Sequence, residues 1–357
     1  GRVEGAGPRP EVDEIRLRAI KAGLKLVDCP LRHLGTERAR ELYARLERHL
    51  VDAGVDLRFR TTCTQVLVDG DACTGVAAEG PEGAYELRAR HTVVATGRRG
   101  ADWLERMCRE HRIAHGPGPV DIGVRVEVPN AVMDRLTTHL YEAKLVYYTP
   151  TFDDKVRVFC TNPSGEVATE YYDEGLAVVN GHAYKSQDLK TKNTNFAILV
   201  SKNFTSPFKS PIEYGKYIAR LGNMLCDGKI LVQRYGDFKR GRRTTDERMI
   251  RNNITATLKD AVPGDLSLVF PHRIMVDIAE MIEALDKVTP GIASDETLLY
   301  GVEVKFYSNK VLVNDDFETN IRGLRAMGDG ASVTRGLQQA SANGLAVARS
   351  ILKKKHA

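Results

Sequence analysis

The chain has 357 residues, of which 42% are hydrophobic and 28% are charged, and its formal net charge is +5. This is the usage of a globular protein, and the length predicts two domains that each bury a core. No apolar run approaches the ~18 residues of a membrane helix, and the polar opening is not a secretory signal. The six cysteines form no C-x-x-C pair, which argues against a zinc site and indicates reduced thiols in a cytoplasmic protein.

The first ordered element is predicted to be a helix over residues 36–53, after a connector. Leu42, Leu46 and Leu50 give this helix an apolar stripe with four-residue spacing. Alternating apolar residues and hairpin turns predict short strands after it. These strands are expected at 55–59, 64–68, 74–78, 85–89 and 93–95, and the last of them ends at Thr96-Gly97.

The region from about 125 to 300 alternates apolar segments with polar loops, which is typical of an α+β domain. Strands are predicted at 156–160, 176–180 and 195–201, and helices at 212–226 and 274–285.

The last stretch predicts a buried strand over 324–327 and a helix over 336–351. Gly328-Asp329-Gly330 separates them, because glycine readily takes left-handed backbone angles. The helix is rich in small residues, so it can pack close to a sheet, and its N-terminus carries partial positive charge. A carboxylate beside a helix N-terminus suits a ligand with hydroxyl groups and negative charge.

This stretch resembles the C-terminal flavin motif of FAD-dependent oxidoreductases. The resemblance implies that Asp329 accepts a hydrogen bond from the ribityl chain, and that backbone at 336–338 faces the pyrimidine end of the isoalloxazine. It also implies that the strand ending at Gly97 re-enters the FAD-binding domain close to the cofactor. The cofactor-binding residues implied in this way are Thr96, Gly97, Gly328, Asp329, Gly330, Gly336, Leu337 and Gln338.

Most of the chain from residue 36 onward resembles uncharacterised bacterial and archaeal FAD-dependent dehydrogenases. The matching segments are 121–129, 159–167, 178–188, 233–245 and 301–308, in this order before the terminal motif. The resemblance implies an α/β fold, with a partial Rossmann-like FAD-binding domain of the glutathione-reductase type and an inserted α+β substrate domain. The expected division is 1–124 and 301–357 for the FAD-binding part, and 125–300 for the inserted domain.

Polar residues inside the resembling segments are candidates for the substrate site. Arg125, Lys185, Gln233 and Glu303 are the candidate substrate-binding residues, and a structural hydrogen-bonding role is the competing interpretation for each. His182 is the candidate acid–base residue, because an imidazole titrates near neutral pH. No metal site is predicted.

The first motif of FAD domains, a strand followed by G-x-G-x-x-G, is missing from this sequence. Gly5-Ala6-Gly7 has no strand before it, and Pro10 stands where the third glycine belongs. The chain is therefore expected to lack the segment that holds the pyrophosphate and adenosine, and to bind FAD weakly by itself.

The sequence predicts an FAD-dependent oxidoreductase with a small-molecule substrate and a nicotinamide nucleotide as candidate electron donor, without a membrane or nucleic-acid partner. Two alternatives remain. A flavin-dependent RNA-modifying or RNA-binding protein is favoured by the pI near 8.8 and by the basic run ending at Arg243, although a solvated loop also explains that run. The other alternative is an interaction module without a cofactor, which an absorbance spectrum distinguishes from a flavoprotein.

Overall fold

The computed structural model of the chain describes residues 9–29, 36–97, 100–116, 118–140, 142–172, 175–184, 186–205, 207–208, 210–307 and 309–355. Its helices are α1 (Pro10–Lys21), α2 (Thr36–Asp52), α3 (Ala101–Glu110), α4 (Asn130–Thr137), α5 (Pro211–Leu225), α6 (Tyr235–Lys239), α7 (Asp246–Ile250), α8 (His272–Asp286) and α9 (Leu337–Lys355). Its strands are β1 (Lys25–Leu26), β2 (Thr62–Asp69), β3 (Ala72–Gly80), β4 (Gly83–Arg88), β5 (Thr92–Val94), β6 (His115–Gly116), β7 (Val120–Pro129), β8 (Leu145–Tyr148), β9 (Lys155–Asn162), β10 (Glu166–Tyr171), β11 (Ala177–His182), β12 (Asn193–Lys202), β13 (Leu231–Arg234), β14 (Val262–Pro263), β15 (Leu298–Phe306), β16 (Lys310–Val311) and β17 (Leu324–Ala326).

The chain divides into two compact units. The first unit contains Gly1–Arg32 and Pro119–Phe306, and the second contains His33–Gly118 and Tyr307–Ala357. The sequence had placed the boundaries at 125 and 300, and had assigned the N-terminal residues to the FAD-binding part. None of the helices in the described ranges has the length and apolarity that crossing a membrane requires.

The described residues 9–29 include a helix and a strand of the first unit, so the prediction that the first ordered element begins at residue 36 was wrong. Pro10 is the first residue of α1, a position that favours proline because its missing N–H would have no partner there. Val12, Ile15 and Ala19 of α1 are buried in the main core of the unit, and β1 pairs with β8. Gly5-Ala6-Gly7 lies outside the described residues.

The first unit is built around a sheet with the strand order β1-β8-β9-β12-β7-β15-β13-β14. Neighbouring strands are antiparallel except for β13 and β14. Every second residue of β7 from Val120 to Val128 joins the apolar core, to which α5 and α8 also contribute. The residues between them include Asp121, Arg125 and Glu127, and they are buried as well. The sheet therefore buries a polar face that must satisfy its own charges.

The predicted strands and helices of the central region are confirmed. They correspond to β9, β11, β12, α5 and α8.

In the second unit, β5 and β17 form a parallel pair, and β2, β3 and β4 form an antiparallel meander. The four predicted strands that correspond to β2–β5 are confirmed, as are α2, α9 and β17. The strand predicted at 55–59 is wrong. Val55 and Phe59 alternate as strand residues do, but they are exposed, and no strand is assigned over 55–59.

The apolar stripe of α2 lies on the surface of the described chain. Leu42 and Leu46 are 51% and 49% exposed, and Tyr43 beside them is 52% exposed. Apolar side chains that adjoin on one helix face form a patch that favours contact with another apolar surface.

We expect the double substitution Leu42→Gln and Leu46→Gln to reduce self-association of the chain, because it removes two apolar side chains from this patch. Sedimentation velocity over a range of concentrations measures the effect, and the free energy of unfolding should change by less than about 0.5 kcal/mol. The matched control is Leu17→Gln with Ile20→Gln on α1, where both side chains are also exposed. An equal effect of the two double variants on self-association would show that the apolar patch of α2 has no special role in it.

Candidate flavin site

Two predicted cofactor segments follow the ends of the parallel strand pair in the second unit. Val94 of β5 lies opposite Ala326 of β17, and the N–H of Met327 donates to the carbonyl of Val94 at 3.0 Å. Thr96-Gly97 follows the first strand, and Gly328-Asp329-Gly330 follows the second. Open α/β sheets bind their ligands at this carboxyl edge of the strands.

The two turns touch each other through glycine backbone. A Cβ atom on Gly330 would lie 2.4 Å from the carbonyl oxygen of Gly97 and 2.8 Å from its nitrogen, so no larger residue fits without movement. Gly97 and Gly328 have left-handed backbone angles, with φ of +62° and +74°. A Cβ on either of them would meet no atom within 4 Å. These two glycines therefore border open space, while Gly330 closes the contact between the turns.

Asp329 holds the loop that leads into α9. Its Oδ1 atom accepts hydrogen bonds from the Thr334 hydroxyl at 2.7 Å and from the Gly336 N–H at 2.9 Å. The buried Asn343 of α9 accepts from the N–H of Gly328 at 2.9 Å, which fixes the start of the loop to the helix, while Asp329 holds its end at Gly336. The loop thus places Gly336 and the first turn of α9 beside the carboxylate.

The first turn of α9 presents its N-terminus at this loop. Leu337 and Gln338 are exposed there, and the Gln339 side chain accepts from the N–H of Arg335 at 3.0 Å. The N–H groups of a first helical turn have no partner within their helix, and they carry partial positive charge. The structure therefore brings the predicted residues from Thr96 to Gln338 to one strand edge and the helix start beside it.

Two buried hydroxyl groups test whether this edge fits a flavin. The Oγ1 atom of Thr96 and the Oγ atom of Ser332 are buried, and neither has a hydrogen-bond partner among the described residues. Buried hydroxyl groups normally have partners, so these two hydroxyls, in the segments that follow β5 and β17, leave hydrogen-bonding capacity for a polar ligand. A ribityl chain and the polar edge of an isoalloxazine match this set of donors and acceptors. The residues present fit the flavin half of FAD.

Two candidate substrate residues, Arg125 and Glu303, form a buried ion pair in the first unit. The Arg125 Nε atom lies 2.8 Å from Glu303 Oε2, and Nη2 donates to Oε1 at 2.8 Å. Arg125 also donates to the carbonyl of Cys160 and to the amide oxygens of Asn180 and Asn195. These contacts support the structural interpretation of the pair, and its role with substrate stays a prediction.

Cys160 lies at a bulge where the pairing of β9 with β12 shifts register. Its backbone has φ of +54°, and its carbonyl accepts from Arg125 at 2.9 Å. A bulge redirects backbone groups, and here it turns an extra acceptor toward the buried guanidinium. Burial raises the pKa of the Cys160 thiol to about 11, which leaves it a poor nucleophile at neutral pH.

The other candidate substrate residues have separate surroundings. Gln233 donates to the carbonyl of Arg242 and accepts from the N–H of Leu266, both at 2.9 Å, so it ties two loops together. His182 is exposed at the end of β11, opposite Glu166 of β10. Lys185 lies outside the described residues. The roles of these residues in binding or catalysis stay predictions.

Sequence reasoning missed three residues of the loop between β17 and α9 and of α9 itself, next to the candidate flavin site. Asn343 and Thr334 fix the loop, and Ser332 contributes a buried hydroxyl. A signal existed for Asn343, because it is a polar residue inside an otherwise small and apolar helix surface. Ser332 and Thr334 gave none, since polar residues in a turn need no special role.

Comparisons with known protein families match two segments of the chain. Residues 119–306 match the family described as FAD-dependent protein, C-terminal domain-like, and residues 21–119 match the FAD binding domain. An uncharacterized protein of Clostridium beijerinckii is 24% identical over 338 residues, which cover 90% of this chain and 62% of the relative. The chain thus spans less than two thirds of that relative's length.

Among solved structures, pyridoxine 4-oxidase from Mesorbium loti overlaps 99% of this chain and 72% of its own, at 10% identity and a TM-score of 0.42. A quinol-fumarate reductase with menaquinol overlaps 96% of this chain and 60% of its own, at 12% identity and a TM-score of 0.32. Similarities this low carry no argument about function. The family matches confirm the resemblance to FAD-dependent oxidoreductases and the α/β fold class. Because residues 119–306 are more than half of the chain, the protein belongs to the family of FAD-dependent proteins, whose cofactor is FAD.

Proposed function

We propose that the chain acts as a flavin-dependent oxidoreductase on a small molecule, and that Thr96-Gly97 and Gly328-Asp329-Gly330 hold the flavin half of FAD. The observation that carries the proposal is the contact of these two turns at the carboxyl edge of the β5–β17 pair. The nicotinamide electron donor expected from the resemblance belongs to the same proposal.

FAD, when bound, supplies electron and hydride transfer, while the protein supplies binding, orientation and electrostatics. Gly97 and Gly328 let backbone approach the cofactor, because no side chain projects into the open space beside them. The hydroxyl groups of Thr96 and Ser332 are placed to bind polar atoms of the cofactor. The N-terminus of α9 would stabilise negative charge on the part of the cofactor that lies beside it.

The RNA-binding alternative has no specific support in the described contacts. Arg242 of the basic run donates to the buried Asp237 at 2.7 Å, and Arg240 pairs with Asp295 at 2.8 Å. Basic side chains that pair with carboxylates of the same chain bind the phosphate backbone of a nucleic acid less strongly. The interpretation of the run as a structured surface loop therefore gains support.

We expect Asp329→Ala to weaken FAD binding by about 1.5–3 kcal/mol, the usual contribution of a hydrogen bond to a charged group. Titration of the protein with FAD, followed by flavin fluorescence, measures the change. The control is Thr334→Val, which removes one internal hydrogen bond of the carboxylate and leaves its charge in place. Unchanged affinity in Asp329→Ala would contradict a role at the cofactor. An equal loss of affinity in Thr334→Val would mean that Asp329 acts only by shaping the loop.

A further inference from the structure

The first unit contains a cavity of about 640 Å³, a volume within the range of small-molecule sites. Aromatic side chains form part of its lining. The rings of Phe204 and Tyr214 have centroids 4.8 Å apart, and Tyr148 is 57% exposed although it lines the cavity. Aromatic rings with accessible faces and edges pack well against another planar ring.

Cations held in fixed positions form another part of the lining. Arg273 donates to both carboxylate oxygens of Asp154, through Nε at 2.5 Å and Nη2 at 3.0 Å, and its guanidinium lies 4.9 Å from the Phe152 ring centroid. Lys202 pairs with the same Asp154 and lies 3.4 Å from Asp277. Because these contacts restrain both side chains, little conformational entropy remains to be lost when a ligand binds them.

The charges of the cavity sum to a positive value. Its charged lining residues are three cations and two acids, Lys155, Lys202, Arg273, Asp153 and Asp154. Asp277 lies fully buried, and Thr149 donates to it at 2.8 Å. Burial and the neighbouring Asp154 raise the pKa of Asp277 from its ordinary value. Burial also acts on Asp154, but hydrogen bonds from Arg273 and Lys202 lower its pKa to about 2. Asp154 therefore pairs with both restrained cations.

We propose that this cavity binds a planar aromatic monocarboxylate, with its ring against Phe204 and Tyr214 and its carboxylate at Arg273 and Lys202. An anion compensates the excess positive charge, and the restrained cations supply charge-assisted hydrogen bonds. Every residue invoked belongs to the first unit, so this binding needs no FAD and does not rest on the proposed function.

The test is isothermal titration of the full chain with three probes of similar size. The probes are 2-naphthoate, 2-naphthamidine with the opposite charge, and decalin-2-carboxylate without aromatic rings. We expect 2-naphthoate to bind at least about tenfold more tightly than either of the others, which corresponds to about 1.4 kcal/mol. Equal or tighter binding of 2-naphthamidine would overturn the charge assignment, and equal binding of decalin-2-carboxylate would overturn the aromatic one. No binding of 2-naphthoate at millimolar concentration would overturn the site.

Two variants locate the binding. Arg273→Gln should lower the affinity for 2-naphthoate by about tenfold or more, as expected for a lost charge-assisted hydrogen bond. It should not disturb folding, because the side chain is 51% exposed. Arg251→Gln is the control, since Arg251 is also exposed, its Nε atom donates to the carbonyl of Glu247 at 3.2 Å, and it does not line the cavity. Phe204→Leu should lower the affinity for 2-naphthoate but leave the affinity for decalin-2-carboxylate unchanged. Equal affinities in the two arginine variants, with both folded by circular dichroism, would place the ligand elsewhere.

Discussion

Replacing Glu303 with Gln is expected to lower the free energy of unfolding of the first unit by about 3–5 kcal/mol. The substitution leaves the guanidinium of Arg125 in the interior without a carboxylate in direct contact. Both side chains of the pair are almost completely buried, at 0% and 2% exposure. The remaining acceptors of Arg125 are neutral groups of Cys160, Asn180 and Asn195, and they cannot replace a carboxylate.

Urea unfolding followed by circular dichroism measures this loss. Glu41→Gln on α2 is the matched control, because Glu41 pairs with Arg45 at side-chain exposures of 62% and 68%. An exposed pair contributes only about 0–1 kcal/mol, so the control should unfold almost as the unaltered chain does. A loss below about 1 kcal/mol in Glu303→Gln would show that the buried pair contributes no more than a surface pair.

The double variant Arg125→Met with Glu303→Leu distinguishes the contribution of the ion pair to stability from its predicted role in substrate binding. Replacing both partners of a buried ion pair by apolar residues is often neutral, so much of the stability should return. If the pair also binds substrate, as the sequence predicts, the stable double variant will lose substrate affinity. If the role of the pair is structural, substrate affinity will return together with stability.

The elements around the candidate flavin site were predictable because their sequence signals are local. A short apolar strand, a turn with two glycines around an aspartate, and a helix of small residues occupy the continuous stretch 324–351. The hairpins of the meander were predictable for the same reason, since each turn lies between the strands that it joins. Short-range chemistry determined these elements, and the structure reproduces them as β2–β5, β17 and α9.

Some features that depend on distant partners were not predictable, although β5 and β17, which pair with each other over a long sequence separation, were. β1 is two residues long and exists only through its pairing with β8, over a hundred residues later. The sequence of β7 alternates apolar residues with Asp121, Gly123, Arg125 and Glu127, which is typical of a strand with one exposed face. Every residue of β7 except the last is buried, so this alternation did not predict that the polar face is buried as well. The partner of Arg125 is 178 residues away on β15, and no spacing rule could identify it. The segment 55–59 failed in the opposite way, because it has the alternation of a strand without a partner.

Replacing Gly97 with Val is expected to weaken FAD binding by more than it weakens the fold. The backbone at Gly97 is left-handed, which costs a residue with a Cβ roughly 1–2 kcal/mol. Gly54 is the matched control, since its φ is +81° and a Cβ there would also meet nothing within 4 Å, but it lies at the end of α2. Both variants should therefore lose similar stability without cofactor, while Gly97→Val alone places a side chain at the flavin edge. Gly336→Val should behave as Gly97→Val does.

Gly330→Ala differs from Gly97→Val, because a side chain at Gly330 would meet backbone atoms instead of open space. Its methyl group would overlap the carbonyl oxygen of Gly97 at 2.4 Å, so the two turns must separate, and both stability and FAD affinity should fall. The measurements are the melting temperature of the protein without cofactor and an FAD titration followed by flavin fluorescence. If Gly97→Val and Gly54→Val lower the melting temperature equally and neither changes FAD affinity, the left-handed angle at Gly97 serves only to form its turn. A loss of FAD affinity in Gly97→Val of about tenfold beyond the control, which is about 1.4 kcal/mol, would instead place the cofactor against this backbone.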